Sequence, residues 1–138
     1  MTPEKDVELC SKYSKIFKNR DMRKFETPIA RGLECDDGWF DLISALCHNI
    51  QNYVDWKSSV LSSEECENLQ PVADQVKQKF GGLRFYITGG DERIEGMIMM
   101  AESMSYKLCE WCGNKGKLRS GGWVTTLCDS CDAQQRPR

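Results

Sequence analysis

Cys109 and Cys112 form one Cys-x-x-Cys pair, Cys128 and Cys131 form a second, and fifteen residues separate them. Two such pairs at this spacing point to a four-cysteine zinc site. Each pair sets two sulfurs on one tight turn, and two facing turns supply a tetrahedron of thiolates at roughly 2.3 Å per bond. Gly113, directly after the second cysteine, relieves the backbone crowding of the first turn. With four protein ligands the ion has no open position, so its expected role is structural. Its binding energy, roughly 10–16 kcal/mol in small zinc modules, is then folding energy for a segment with little core of its own. A redox dithiol or a pair of disulfides is the competing reading. The charged first ten residues lack the apolar stretch of a secretory leader, so the expected setting is a reducing one, the cytoplasm, where thiolates meet metal more often than each other.

The elements that must carry these cysteines follow from the pattern around them. Lys117 to Arg119, Ser120-Gly121-Gly122 and Trp123 to Leu127 read as strand, turn and strand, a zinc ribbon over residues 105–138. Residues 1–104 read as an α+β body. Val7, Cys10, Tyr13 and Phe17 recur at helical spacing over Pro3 to Phe17, with Thr2 as the expected cap. Residues 19–37 read as an irregular connector that lays Phe25, Ile29 and Leu33 across the core. Trp39, Ile43, Leu46, Cys47, Ile50, Tyr53 and Val54 predict a second helix running to about Trp56, capped by Asp36 or Asp37. Ser58 to Pro71, polar and rich in serine, is expected as an exposed loop.

From Val72 the period changes to two. Val76, Phe80, Leu83, Phe85 and Ile87 alternate with polar residues around Gly81-Gly82, which predicts a hairpin with Phe80 opposite Leu83 and Val76 opposite Ile87. Gly89-Gly90 ends it. Asp91 and Glu92 then start a helix bearing Ile94, Met97, Ile98, Ala101 and Met104, expected to cover the hairpin. The fold class is therefore α+β: helices and a β-hairpin with a C-terminal four-cysteine zinc ribbon.

The ordered set Asp37-Gly38-Trp39, Val76-Lys77, Lys79-Phe80-Gly81, Leu83-Arg84-Phe85-Tyr86, Gly89-Gly90-Asp91, Ala101-Glu102, Cys109-Glu110-Trp111-Cys112-Gly113 and Gly122-Trp123 resembles a family of small, functionally uncharacterised zinc-ribbon proteins encoded by bacteriophages and prophage-bearing bacteria. The likeness spans about Asp36 to Cys131. It implies a phage or bacterial setting and no reaction. Small phage proteins of this size often bind and redirect or inhibit a host protein, so the resemblance suggests a host protein as partner.

Composition narrows the functions. The chain has 138 residues, 19 basic and 21 acidic side chains and a single histidine. The longest apolar run, Met97 to Ala101, is far short of the ~20 residues a membrane span needs. Residues 34–70 carry eight acidic side chains against one basic, an acidic belt that reads first as a solvated helix face and loop and second as a surface for a basic partner. Residues 105–138 carry six basic against three acidic. Four thiolates and one zinc reduce that excess to about +1, which weakens generic attraction to phosphate.

The preferred reading is a non-enzymatic recognition protein with a protein partner, engaged through Arg84, Tyr86 and Thr88 of the hairpin and Trp123 of the ribbon. A solvated Arg84 is the competing reading. Trp111 is expected to pack against the ribbon or the preceding helix, and Trp123 is divided between packing and an interface. The alternative is a nucleic-acid-binding ribbon using Lys115, Lys117 and Arg119 beside Trp123. Catalysis finds little support. His48 is expected on the outer flank of its helix, which excludes sites needing two histidines, and no nucleophile-elbow, phosphate-loop, dinucleotide or zinc-deaminase signature is present. Asp36, Asp37 and Asp41 form an acidic cluster suited to a hard cation, but helix capping explains the first two more simply. Of the remaining cysteines, Cys10 and Cys47 are expected on buried helix faces, while Cys35 and Cys66 show no paired spacing.

Overall fold

A computed structural model of the chain describes residues 1–135; the last three residues of the expected ribbon, 136–138, lie outside it. In chain order the elements are α1 (Pro3–Lys12), short 3-10 turns at Pro28–Arg31 and Asp37–Trp39, α2 (Phe40–Ser58), α3 (Ser63–Leu69), β1 (Val72–Lys79), β2 (Gly82–Thr88), α4 (Glu92–Ser105), β3 (Lys117–Arg119), β4 (Thr125–Leu127) and α5 (Asp129–Gln135). This is the expected α+β class, with two small antiparallel hairpins. Among the described residues no helix is long and apolar enough to cross a membrane.

The first helix ends at Lys12, earlier than its apolar spacing suggests, and the chain continues in turns to Phe17. Thr2 makes no side-chain cap; its backbone N–H donates to Asp37 Oδ1 at 2.8 Å. The buried stripe is also rotated from the expected one. Leu9, Tyr13, Ile16 and Phe17 are buried together with Asp6, while Val7 faces solvent and Cys10 is half-buried. Asp6 accepts from Arg20 Nε at 2.9 Å and from the Leu33 N–H at 2.8 Å, so a carboxylate with fixed donors occupies a position the apolar pattern cannot reveal. Phe25, expected across the core, is 82% exposed, whereas Ile29 and Leu33 are buried.

The second helix buries every residue named for its inner face from Trp39 to Val54. Neither Asp36 nor Asp37 caps it through a side chain, because the 3-10 turn at Asp37–Trp39 leads into it instead. The stretch expected as a loop contains α3, which opens with a capping box. The Ser62 hydroxyl accepts from the Glu65 N–H, and the Glu65 carboxylate accepts from the Ser62 N–H. Leu69 at its end is buried.

In the body hairpin, Val76 pairs with Phe85, Gln78 with Leu83 and Lys79 with Gly82, so the turn is Phe80-Gly81 and not Gly81-Gly82. The strands are offset by two residues from the expected register. An even offset keeps every side chain on its own face, which is why Val76, Leu83 and Phe85 are buried as expected. Tertiary packing sets the choice: a Cβ at Gly82 would lie 2.2 Å from Tyr106 Cζ, so this glycine is needed inside the strand. Phe85 packs edge-to-face on Phe17, with centroids 6.3 Å apart. Helix α4 covers β2 and α2, with Ile94, Ile98 and Ala101 buried and Asp91 capping through a 3.1 Å bond from the Ile94 N–H. The outer edge of β1 is closed as well. The Glu34 N–H donates to Val76 O at 2.9 Å, the Gln78 N–H donates to Glu34 O at 3.0 Å, and the Ala73 N–H donates to Ile16 O at 2.8 Å.

Candidate metal centre

Cys109 to Gly113 and Leu127 to Cys131 approach each other at the end of the β3–β4 hairpin. In the first turn the Gly113 N–H donates to Cys109 O at 2.8 Å and the Cys109 N–H donates to Asn114 O at 2.7 Å. Gly113 has φ +81, the backbone angle expected there. The second pair differs from expectation in one respect: Cys131 sits in α5, immediately after Cys128, so this half of the site is the start of a short helix. The Cys131 N–H donates to Cys128 Sγ at 3.4 Å.

All four sulfurs lie within 4.8 Å of one another and can hold one metal ion. A tetrahedron with metal–sulfur bonds of about 2.3 Å has edges of about 3.8 Å. The Cys112 and Cys128 sulfurs are 3.7 Å apart, which matches one such edge. Cys109 and Cys131 are buried, Cys128 is half-buried and Cys112 is exposed. Burial opposes ionisation of Cys109, but the backbone N–H groups of Cys128, Cys112 and Trp111 outweigh it and bring this thiol down to about 7.

The turns are held against the rest of the chain by a row of polar contacts. The Gly38 N–H donates to Glu110 O at 2.7 Å, the Asp36 N–H donates to Glu110 Oε2 at 3.0 Å, and Trp39 Nε1 donates to Leu108 O at 3.0 Å. Glu110 is buried here, and burial pushes its carboxyl up to about 7. On the other side, the Thr126 hydroxyl donates to Gly81 O at 2.6 Å and Gln78 Nε2 donates to Val124 O at 2.8 Å. The tip of the body hairpin is thereby clamped to β4.

The other residues singled out from the sequence are dispersed. Trp123 is 79% exposed in the β3–β4 loop, and Trp111, expected to be packed, is 38% exposed. Tyr86 faces solvent, whereas Arg84 is half-buried and donates to Leu83 O at 2.9 Å and to the Tyr106 hydroxyl at 3.1 Å. Lys117 and Arg119 share one side of β3, as alternation implies, but both turn to α5. Arg119 donates to Asp129 Oδ1 at 2.7 Å and to Leu127 O at 3.0 Å and lies 3.5 Å from Asp132 Oδ2; Lys117 lies 3.9 Å from Asp129 Oδ1. Lys115 is exposed. His48 is exposed and bonded to Asn52 at 3.0 Å. Cys47 and Cys35 are buried, Cys10 and Cys66 half-buried.

Sequence reasoning missed two things. Phe80, assigned to the inner apolar row, is at the hairpin tip and 69% exposed. Glu110, given no role of its own between Cys109 and Trp111, joins the first cysteine turn to the body. The Phe-Gly dipeptide gave a signal for the first, since glycine suits the second position of a tight turn; the second rests on a contact across 74 residues with no local signature. Comparison of the chain with known protein families, curated proteins and solved structures returned no match.

Proposed function

We propose that this chain is a zinc-stabilised, non-enzymatic recognition protein whose partner is another protein. Zinc is the ion best suited to four thiolates in a closed tetrahedral cage, and a closed cage offers no position for substrate or water. The ion would fix the geometry of the turns and the β3–β4 loop they anchor.

One observation carries the reading. Phe80, Trp123, Leu118 and Trp111 are all exposed on or beside the clamped junction of hairpin and ribbon. Large aromatic side chains on a rigid support are the groups that most often anchor protein interfaces. The nucleic-acid reading has less to draw on, because Arg119 and Lys117 both reach Asp129 within the ribbon. The resemblance to phage-encoded zinc-ribbon proteins is the ground for taking a bacterial host protein as the partner, cytoplasmic like the chain itself, with inhibition or redirection as the outcome.

The test is affinity capture from nuclease-treated bacterial lysate on immobilised, zinc-loaded protein. A stoichiometric protein partner, lost when Cys112→Ser bait is used, is the expected result. Retention of nucleic acid alone from untreated lysate, or of no macromolecule at all, would refute the reading.

A further inference from the structure

We propose that the cleft between the β1–β2 turn and the β3–β4 loop docks an acidic segment of the partner protein, with an apolar side chain of that segment seated between Phe80 and Trp123. The inference rests on the protein-binding reading above and adds the chemistry of what is bound.

The starting point is the backbone of Phe80. Its φ is +52, and among the described residues it is the only non-glycine with a positive value. A bulky residue in this region clashes with its own backbone, a penalty that glycine escapes and asparagine tolerates. Burial often compensates such a residue, yet this phenyl ring is 69% exposed. Among the described residues its ring meets a single cation, Lys79 Nζ, 5.8 Å from the centroid. The fold therefore gains nothing evident from phenylalanine at the turn. A strained, exposed aromatic is the pattern of a residue kept for contact with another molecule.

A second aromatic lines the same cleft from a different element. Trp123 is 79% exposed, and the walls are completed by Lys77, Gln78, Lys79, Gly122 and Val124. The two walls do not drift apart, because Gln78 bonds Val124 and Thr126 bonds Gly81 across them. A cleft held open in this way spends little on ordering when a ligand enters.

Charge identifies the occupant. The lining residues include two lysines and no acidic residue, and neither Lys77 nor Lys79 forms an ion pair among the described residues. The complement is an anionic segment with an apolar anchor. A single-stranded nucleic acid also has negative charge and stackable rings, but the surface beyond Trp123 is hostile to it. The adjoining cavity shares Gln78 and Trp123, and its lining includes the acidic residues Glu34 and Asp36 beside Met1. A phosphate chain has charge at every step and would run into these carboxylates. A peptide can confine its acidic residues to the lysine side.

The experiment selects random linear peptides, displayed on a carrier, against the full-length zinc-loaded chain. The expected winners have an aromatic or leucine anchor beside Asp or Glu. A synthetic winner should lose about tenfold or more in affinity against Phe80→Asn, Trp123→Ala and the double variant Lys77→Glu/Lys79→Glu. Phe80→Asn suits the turn, so its zinc content and melting curve will show an intact fold. The proposal is overturned if no peptide is enriched, if the winners are basic, if the variants bind them unchanged, or if an oligothymidylate binds this surface in their place. Should a partner captured from lysate bind the three variants as well as it binds wild type, this inference fails while the protein-binding reading stands. Failure of the lysate capture itself is the outcome that removes both.

Discussion

The Gly38 N–H donates to the Glu110 carbonyl oxygen at 2.7 Å, and a Cβ built on Gly38 would stand 2.2 Å from the Cys109 carbonyl oxygen. The backbone of the first metal turn is thus pressed directly on the entry to α2, and only a residue without a side chain fits between them. Gly38→Ala must push the two apart. The expected cost is about 1–3 kcal/mol, read as a lower melting temperature, together with faster loss of metal to a competing chelator. An unchanged melting curve would mean that the junction is not held here.

Thiol reactivity should separate Cys10, Cys35 and Cys47 from the four cysteines of the cage. Burial pushes the Cys35 thiol up to about 12, and burial together with the Asp6 carboxylate does the same for Cys10. Burial also raises Cys47. At pH 8 these three should resist alkylation in the folded protein. Chelation should expose the Cys112 thiol first, because it is the only exposed member of the cage. Mass-spectrometric mapping of the label checks the order.

Asp91 joins α2 to α4. Partial burial works against its ionisation, but the Tyr53 hydroxyl, the Ile94 N–H and the Lys57 ammonium together hold its carboxyl below the usual value. The folded-state value being the lower one, its contribution is complete above the unfolded value and fades as pH falls through the folded one. Asp91→Ala should cost about 1 kcal/mol at neutral pH. The gap between variant and wild type should shrink in acid, as denaturation at neutral and acid pH will show.

Phe80→Asn offers the opposite sign. Replacing a strained, exposed phenyl with a residue that accepts positive φ, next to a glycine at φ +85, should stabilise the hairpin by about 1 kcal/mol. A melting temperature that falls would show that the ring supports the fold after all.

What could be read from the sequence was what depends on neighbours in the chain. The cysteine spacing identified the cage because each half is a local turn, and α2 was legible because its inner stripe is uninterrupted from Ile43 to Val54. The capping box at Ser62 and Glu65 was equally local and was overlooked in a serine-rich stretch. The hairpin's parity was legible but its offset was not, since Gly81-Gly82 is a good turn by itself and only the Tyr106 ring, 24 residues on, requires Gly82 within the strand. In the same way Asp6 hid the phase of α1, because its donors come from Arg20 and Leu33. The contacts of Gly38 and Asp36 with Glu110 have no counterpart in periodicity or composition.

The most direct test of the central claim is the metal content of protein purified without added metal, measured by elemental analysis beside a count of free thiols. One zinc per chain, lost on Cys112→Ser with a lowered melting temperature, is the expected result. Protein without bound metal, or with Cys109, Cys112, Cys128 and Cys131 oxidised in pairs, would contradict it.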